Sequence, residues 1–204
     1  MTRLSELTTL RLGGPAARMV DATSEEELVS LVRAADADGE PLLVLAGGSN
    51  VVVADEGFAG TVVRVATRGV EQLERSDGRI WLDVQAGEEW DALVAMCVDS
   101  DLGGIEALSG IPGSVGATPI QNVGAYGQEV ADVIAAVHAL DRVSGEIHAL
   151  EVEECMFDYR SSVFKRDPGR WLVLRVRFAL ERTPESEPVR YAELAARLGI
   201  ADGF

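Results

Sequence analysis

The segment LSGIPGSVGATPIQNVGAYGQ (108–128) carries the clearest indication of the fold of this 204-residue chain. It has five glycines among small and hydroxyl-bearing side chains, and apolar residues recur between them. Flexible linkers lack apolar residues at such regular intervals, so the segment predicts a packed loop. A loop of this length must satisfy its own amide groups, and binding a ligand is one way to do so. Glycine lets the backbone approach a pyrophosphate, whose charge N–H dipoles can meet without lysine.

A second glycine-rich segment, AGGSN (46–50), separates two apolar runs, PLLVL (41–45) and VVVA (51–54). From the residues alone, a ligand-binding loop and a plain turn between two strands are equally well supported. Neither segment matches a common nucleotide motif, because AGGSN is not G-x-G-x-x-G and GIPGSVGAT (110–118) lacks Gly-Lys-Ser/Thr. The sequence therefore supports neither a Rossmann dinucleotide site nor a P-loop NTPase.

The composition excludes several classes of protein. Eighteen Lys and Arg stand against 34 Asp and Glu, a formal net charge of −16, which repels nucleic acid. There is no apolar run of about 18 residues to span a membrane, and the N-terminus lacks a secretory signal. Cys97 and Cys155 are far apart without metal-ligand spacing, so we expect no metal site and no disulfide. These features indicate a cytoplasmic protein.

Residues 1–66 predict a β-α-β unit. In TSEEELVSLVRAADADG (23–39), Ser24 and Glu27 form a capping-box pattern, apolar residues recur at helical spacing, and Gly39 follows as a stop. Short runs rich in apolar and β-branched residues, PLLVLA (41–46) and TVVRVA (61–66), have the length of strands. AGGSN then lies at the end of the strand that follows the helix.

Residues 67–180 predict a larger unit. RIWLDVQA (79–86) alternates as a half-buried strand does, residues 133–150 indicate a hairpin, and WLVLRVRFAL (171–180) is a further strand. In that strand Arg175 and Arg177 face away from its apolar residues. EEWDALVAMCVDSDLGG (88–104) predicts a helix whose apolar face is formed by Trp90, Leu93, Val94, Cys97 and Val98. Mixed strands and helices of this kind predict an α+β fold.

The end of the chain predicts a boundary. ERTPESEP (181–188) is charged, with two prolines, and is interpreted as a linker. Residues 189–204 begin one amphipathic helix and are too few for another core. We interpret them as the start of a truncated C-terminal substrate domain.

Three segments resemble a known family. LAGGSNVVV (45–53), GIEALSGIPGSVGATPIQNVGAYGQEV (104–130) and ECMFDYRSSVFK (154–165) are similar to the UDP-N-acetylenolpyruvoylglucosamine reductase (MurB) family of peptidoglycan synthesis. The resemblance, which runs in family order from about residue 8 to 180, implies the FAD-binding fold of the vanillyl-alcohol oxidase and PCMH type. That fold has a small β-α-β subdomain and a larger α+β subdomain on either side of an extended FAD.

The resemblance also implies which residues bind the cofactor. The first loop lies against the FAD pyrophosphate and contributes Gly47, Gly48, Ser49 and Asn50, followed by Val51. The long loop lines the flavin and ribityl part, through Ile111, Pro112, Gly113, Gly116, Ala117, Ile120, Gln121, Gly124 and Ala125.

The catalytic arginine of the family matches Arg160, with Tyr159 as a neighbouring pocket residue. From the residues alone, Arg160, Lys165 and Arg166 also fit a solvated charged face. An arginine enclosed between apolar neighbours instead offers a fixed fork of donors to a carboxylate or an oxyanion.

The implied activity is NADPH-driven, FAD-dependent reduction of the enolpyruvyl group of a small-molecule UDP-sugar to UDP-N-acetylmuramate. The resemblance implies that Arg160 stabilises the enolate-like state. The proton-donating serine of the family lies in a third domain whose motif is not in this sequence, so we expect this chain to bind FAD but to be catalytically incomplete alone. The sequence does not determine the oligomeric state, for which a monomer is the expectation. A non-catalytic flavin-binding module is the alternative, and another oxidase on the same fold is disfavoured by the Tyr159–Arg160 match.

Overall fold

A computed structural model describes residues 2–186, 188–189 and 191–200 of the chain. Its helices are α1 (Glu25–Asp38), α2 (Trp90–Asp99), α3 (Val163–Arg166) and α4 (Ala192–Leu198). Its strands are β1 (Ala16–Ala22), β2 (Leu42–Leu45), β3 (Phe58–Val65), β4 (Val70–Leu73), β5 (Ile80–Gln85), β6 (Leu102–Gly103), β7 (Gly124–Ala125), β8 (Gln128–Glu129), β9 (Ile134–Asp141), β10 (Glu146–Glu151) and β11 (Trp171–Arg182). No helix in this described part is long and apolar enough to cross a membrane.

The first unit is a three-stranded parallel sheet in the order β1-β3-β2, with α1 connecting β1 to β2. Helix α1 begins after Ser24, whose hydroxyl accepts a hydrogen bond from the Glu27 amide at 3.1 Å. It ends at Gly39, which adopts the left-handed conformation and donates back to the Ala35 carbonyl. The Glu27 carboxylate accepts from the amide of Thr23 at 2.8 Å rather than from Ser24, so the capping box is displaced by one residue.

The second unit is a larger antiparallel sheet in the order β10-β9-β11-β5-β4, with β6 paired to the end of β11. Strand β11 is central because its apolar residues are buried along most of its length. The predicted hairpin of residues 133–150 forms β9 and β10. Parallel and antiparallel sheets in one chain confirm the predicted α+β fold class.

Helix α1 packs between the two sheets. Its buried residues Leu28 and Val32 share one core with Val63 of β3 and with Val84 and Val176 of the larger sheet. Polar contacts join the same layers: Glu25 at the start of α1 lies 2.9 Å from Arg175, and Asp36 near its end lies 2.5 Å from Arg142. The helix therefore fixes the position of one sheet relative to the other.

The polar face of the larger sheet is enclosed rather than solvated. Arg175 and Arg177 do face away from the apolar residues of β11, as predicted, but both pair with Asp83 of β5, at 3.2 and 3.0 Å. Asp83 is only 6% exposed. A buried carboxylate needs such partners, because an unpaired charge there would be costly.

One predicted core position is wrong. Val98 was expected on the apolar face of α2, yet it is 51% exposed. The buried face consists of Trp90, Leu93, Val94 and Cys97. Val98 follows Cys97 directly, and one further residue rotates the side chain by about 100° around the helix, away from the core.

The segment after the larger sheet was predicted as a linker over residues 181–188. Strand β11 extends to Arg182, two residues into that range, and Glu187 lies outside the described residues. Helix α4 follows within the predicted partial domain, whose residues 190 and 201–204 also lie outside the described residues. The domain boundaries themselves stay predictions.

Candidate functional site: a cleft between two glycine-rich loops

The two glycine-rich loops meet across a cavity of about 370 Å³, which lies within the usual range for small-molecule sites. The backbones touch: a Cβ added at Gly47 would lie 3.0 Å from Gly113 Cα. Gly48 has φ +62°, and a Cβ there would lie 2.0 Å from the carbonyl oxygen of Leu7. Only glycine fits at this position, so the first loop is shaped by both its conformation and its neighbours.

Most residues predicted to bind the cofactor line this cavity. They are Gly47, Gly48, Ser49, Asn50, Val51, Ile111, Pro112, Gly113, Ala117, Ile120 and Gln121. Gly116, Gly124 and Ala125 lie outside the lining. Gly116 packs on Ala86, where an added Cβ would come within 2.5 Å, and the other two form β7, paired with β8. The role of each residue toward the cofactor stays a prediction.

The cavity walls present backbone N–H groups without partners. Within the described part of the chain, no hydrogen bond is donated by the amides of Gly47, Gly48, Ser49 or Asn50. The same holds for Ile111 and Gly113 on the opposite loop. Gly47 and Asn50 are exposed, so these amides are open to solvent or to a ligand, and a group of such donors beside a cavity suits an anionic ligand. The diphosphate of FAD fits this donor set.

Ser114 is a lining residue that the sequence interpretation missed. Its side chain is 4% exposed, and its Oγ has no hydrogen-bond partner among the described residues. A buried hydroxyl without a partner is costly unless a ligand or water satisfies it. The only signal in the sequence was a serine directly after Gly113, which the resemblance did not single out.

Arg160 lies in a tight turn formed by Asp158–Ser161, whose two end residues exchange backbone hydrogen bonds of 3.1 and 3.0 Å. Arg160 has φ +50°, uncommon for a residue other than glycine. The residue is half-buried, and its guanidinium donates to the Gly124 carbonyl. Tyr159 is 79% exposed and does not line the cavity. The catalytic roles of both residues stay predictions.

One hydrogen bond ties this turn to the long loop, and another ties the residue that follows the turn to the same loop. Asn122, which is 1% exposed, donates from Nδ2 to the Asp158 carbonyl at 3.3 Å and accepts from the Ala131 amide at 3.1 Å. Ser162 donates from Oγ to the Ile120 carbonyl at 2.6 Å. The position of Arg160 is therefore coupled to the loop that lines the cavity.

A larger cavity of about 610 Å³ lies beside α4, and residues from both ends of the long loop, Ser109 and Tyr126 to Gln128, also line it. Among the described residues that line it, Glu106, Asp132 and Glu181 stand with one cation, Arg79. This excess of carboxylates disfavours an anionic cofactor there. The glycine-rich cleft is therefore the candidate site, despite its smaller volume. No group of three or more His, Cys, Asp or Glu among the described residues could hold a metal ion.

Comparison with known proteins defines the class. The chain matches the family described as FAD binding domain over residues 16–151, more than half of its length, and it belongs to that family. This membership confirms FAD as the predicted cofactor. P-cresol methylhydroxylase with substrate bound is similar in structure, with a TM-score of 0.60 over 85% of this chain and 37% of that one, at 13% identity. That likeness confirms the predicted fold.

Relatives of higher sequence identity are UDP-N-acetylenolpyruvoylglucosamine reductases. The enzyme from Salinispora arenicola is 58% identical over 98% of this chain and 55% of its own length. The enzyme from Thermobifida fusca is 53% identical over 98% of this chain and 56% of its own length. The crystal structure of the enzyme (MurB) from Thermus caldophilus is 34% identical, with a TM-score of 0.71 over 90% of this chain and 62% of that one. The chain thus spans about half the length of the curated relatives it matches.

Proposed function

We propose that this chain is the FAD-binding part of a UDP-N-acetylenolpyruvoylglucosamine reductase. That enzyme would reduce the enolpyruvyl group of its UDP-sugar substrate and so form UDP-N-acetylmuramate, with NADPH as the reductant. One observation carries the proposal: a cleft with unpaired amides lies beside an arginine held in a strained turn, within a sequence 58% identical to such a reductase over 200 residues. The first loop and its neighbour would bind the cofactor through amide dipoles, which suits a chain with net charge −16.

Bound FAD would supply the hydride for the enolpyruvyl group after NADPH has reduced it. The protein's part is to orient the substrate and to stabilise charge. As the hydride arrives, negative charge grows on the neighbouring carbon and its carboxylate. Arg160 offers a fixed fork of N–H donors for that charge, and its hydrogen bond to the Gly124 carbonyl orients the guanidinium beforehand. A donor oriented in advance needs little reorganisation during the reaction.

A cytoplasmic location also belongs to this proposal, because both NADPH and UDP-sugars are substrates of that compartment. The monomeric state predicted from the sequence stays a prediction.

Two measurements test the proposal. First, the purified 204-residue chain should take up FAD in equilibrium dialysis and acquire flavin absorbance. Second, the protein as the intact gene encodes it should oxidise NADPH only in the presence of the enolpyruvyl UDP-sugar. In that protein, Arg160→Ala should lower kcat by about a hundredfold or more, while FAD occupancy changes little.

The outcomes separate the alternatives. FAD uptake without substrate-dependent NADPH oxidation by the intact protein would favour a non-catalytic flavin-binding module. A wild-type kcat in the Arg160→Ala variant would remove Arg160 from the chemistry, and a chain that takes up no FAD would contradict the assignment of the cleft.

A further inference from the structure

Lys165 lies on the wall of the cofactor cleft. It belongs to α3, which begins after Ser162, and its ammonium donates to the Arg160 carbonyl at 2.8 Å. Among the described residues that line the cavity, Lys165 is the one with a charged side chain. All the others are apolar, glycine, hydroxyl or amide residues. A negative charge that a ligand develops in this cavity would therefore have Lys165 as the nearest cationic residue of the described lining.

The two other cations of the cluster point elsewhere. Arg160 donates to the Gly124 carbonyl, and Arg166 donates to the Met156 carbonyl at 2.7 Å and to Ser161 Oγ at 3.3 Å. Neither lines the cavity. In a chain with 34 acidic residues, the surrounding field is negative, so a single cation in the cleft has a large effect on an anion bound there.

The position of Lys165 on the cavity wall bears on whether it would bind the diphosphate or act on the flavin ring. The unpaired amides of Gly47, Gly48, Ser49 and Asn50 already provide donors for a diphosphate. Lys165 instead lies with the opposite loop, because Ser162 at the start of its helix donates to the Ile120 carbonyl. Ile120 belongs to the loop for which we predict contact with the flavin ring. The segment that carries Lys165 therefore packs against the loop predicted to contact the ring rather than against the loop predicted to contact the diphosphate.

We propose that Lys165 stabilises the negative charge that the flavin ring gains on reduction, and so raises the reduction potential of the bound FAD. Uptake of two electrons and one proton from the reductant and solvent leaves one negative charge on the ring. Charge near the ring nitrogens is one of the means by which proteins tune a flavin. This inference rests on FAD binding in the cleft and deepens the proposed function.

The test compares Lys165→Met with the matched control Arg166→Met. Each variant removes one positive charge from the same segment, but only the first removes it from the cleft. The dissociation constant of oxidised FAD is measured by fluorescence titration, and the reduction potential of the bound flavin by anaerobic titration against a dye of known potential. The two values together give the affinity for reduced FAD.

Lys165→Met should weaken binding of reduced FAD relative to oxidised FAD at least tenfold, a fall of about 30 mV in potential for this two-electron couple. Lys165→Arg should recover most of that shift. Arg166→Met should change the ratio of the two affinities less than threefold.

Three results would overturn the inference. In the first, Lys165→Met weakens both oxidation states by the same factor, which makes Lys165 a structural or diphosphate-binding residue. In the second, Arg166→Met shifts the potential as much as Lys165→Met does, which makes the effect one of overall charge.

The third result concerns a Lys165→Met variant that does not retain FAD, in which case Lys165→Gln is measured instead, because its amide can still donate to the Arg160 carbonyl. The inference is overturned if Lys165→Gln loses no more affinity for reduced FAD than for oxidised FAD, or if it also does not retain FAD. If the wild-type chain itself binds no FAD, the cleft assignment fails first, and the two failures remain distinguishable.

Discussion

Gly48→Ala is the sharpest test of the cleft, because two separate effects oppose a side chain at this position. The first is conformational: φ is +62°, and an L-residue in the left-handed region costs about 1–2 kcal/mol. The second is steric: the added Cβ would lie 2.0 Å from the Leu7 carbonyl oxygen. The backbone must shift to relieve that contact, at a cost of about 1–3 kcal/mol. The total is about 2–5 kcal/mol.

Gly39→Ala is the matched control. Gly39 ends α1 with φ +64°, nearly the value of Gly48, and an added Cβ would have no neighbour within 4 Å. This variant should therefore lose only the conformational part, about 1–2 kcal/mol in the free energy of unfolding. Its dissociation constant for FAD should not change, because Gly39 does not line the cavity.

The assay has two parts: urea unfolding of the FAD-free chain, and FAD titration of both variants. If the first loop moves to avoid Leu7, its amides leave their positions beside the cavity. A loss of about 1.4 kcal/mol in binding corresponds to a tenfold rise in the dissociation constant, which we take as the minimum for Gly48→Ala. The reasoning is refuted if Gly48→Ala matches Gly39→Ala in unfolding free energy and also binds FAD as the wild type does. Should Gly48→Ala not fold, Ser114→Ala tests the same cavity.

Ser114→Ala should raise the free energy of unfolding of the FAD-free chain by about 1 kcal/mol, since the buried Ser114 Oγ has no partner among the described residues, and it should weaken FAD binding. Urea unfolding measures the first effect and FAD titration the second; a lower free energy of unfolding would contradict the reasoning about Oγ. Asn122→Gly keeps the left-handed conformation but removes the side-chain hydrogen bond to the Asp158 carbonyl. If the proposed function holds, kcat of the protein as the intact gene encodes it should fall by a larger factor than FAD affinity does; an equal fall in both would contradict a positioning role for Asn122. Burial, followed by the charge of Arg175, lowers the pKa of His138 in the folded chain below the ordinary histidine value of about 6.5, which the unfolded chain keeps. The unfolded chain therefore binds more protons, and the free energy of unfolding should decrease as the pH falls through about 6.5. Urea unfolding at pH values on either side should show a smaller decrease for His138→Asn, and an unchanged decrease would exclude His138 as its source.

The parts of the fold that could be predicted from the sequence are those that local contacts determine. Ser24 and Gly39 delimit α1 through bonds to residues three and four positions away, so the sequence pattern contained the information. Strands β2, β3, β5, β9, β10 and β11 were predicted from apolar runs, alternation and turn residues, whereas the short strands β4, β6, β7 and β8 were not. The family resemblance added the arrangement of the two loops, which local patterns could not provide.

The contacts that could not be predicted connect distant segments. Alternation in β11 showed that Arg175 and Arg177 leave the apolar face, but not that Asp83 would meet them in an enclosed layer. The same limit applies to the site. Glycine richness indicated the loops, whereas Ser114 and Lys165 belong to the cavity only through the way the loops and α3 pack together. Nothing in the spacing of either residue distinguishes it from an ordinary surface serine or lysine.

The backbone contact between Gly47 and Gly113 joins loops that belong to different sheets. The cleft is therefore complete only when the two loops are in contact in the folded chain, and a bound cofactor stabilises that state alone. At a free FAD concentration one hundred times the dissociation constant, this linkage adds about 2.7 kcal/mol to stability. We expect the lifetime of the chain against cellular proteases to follow the supply of flavin, so that its abundance falls when riboflavin is scarce.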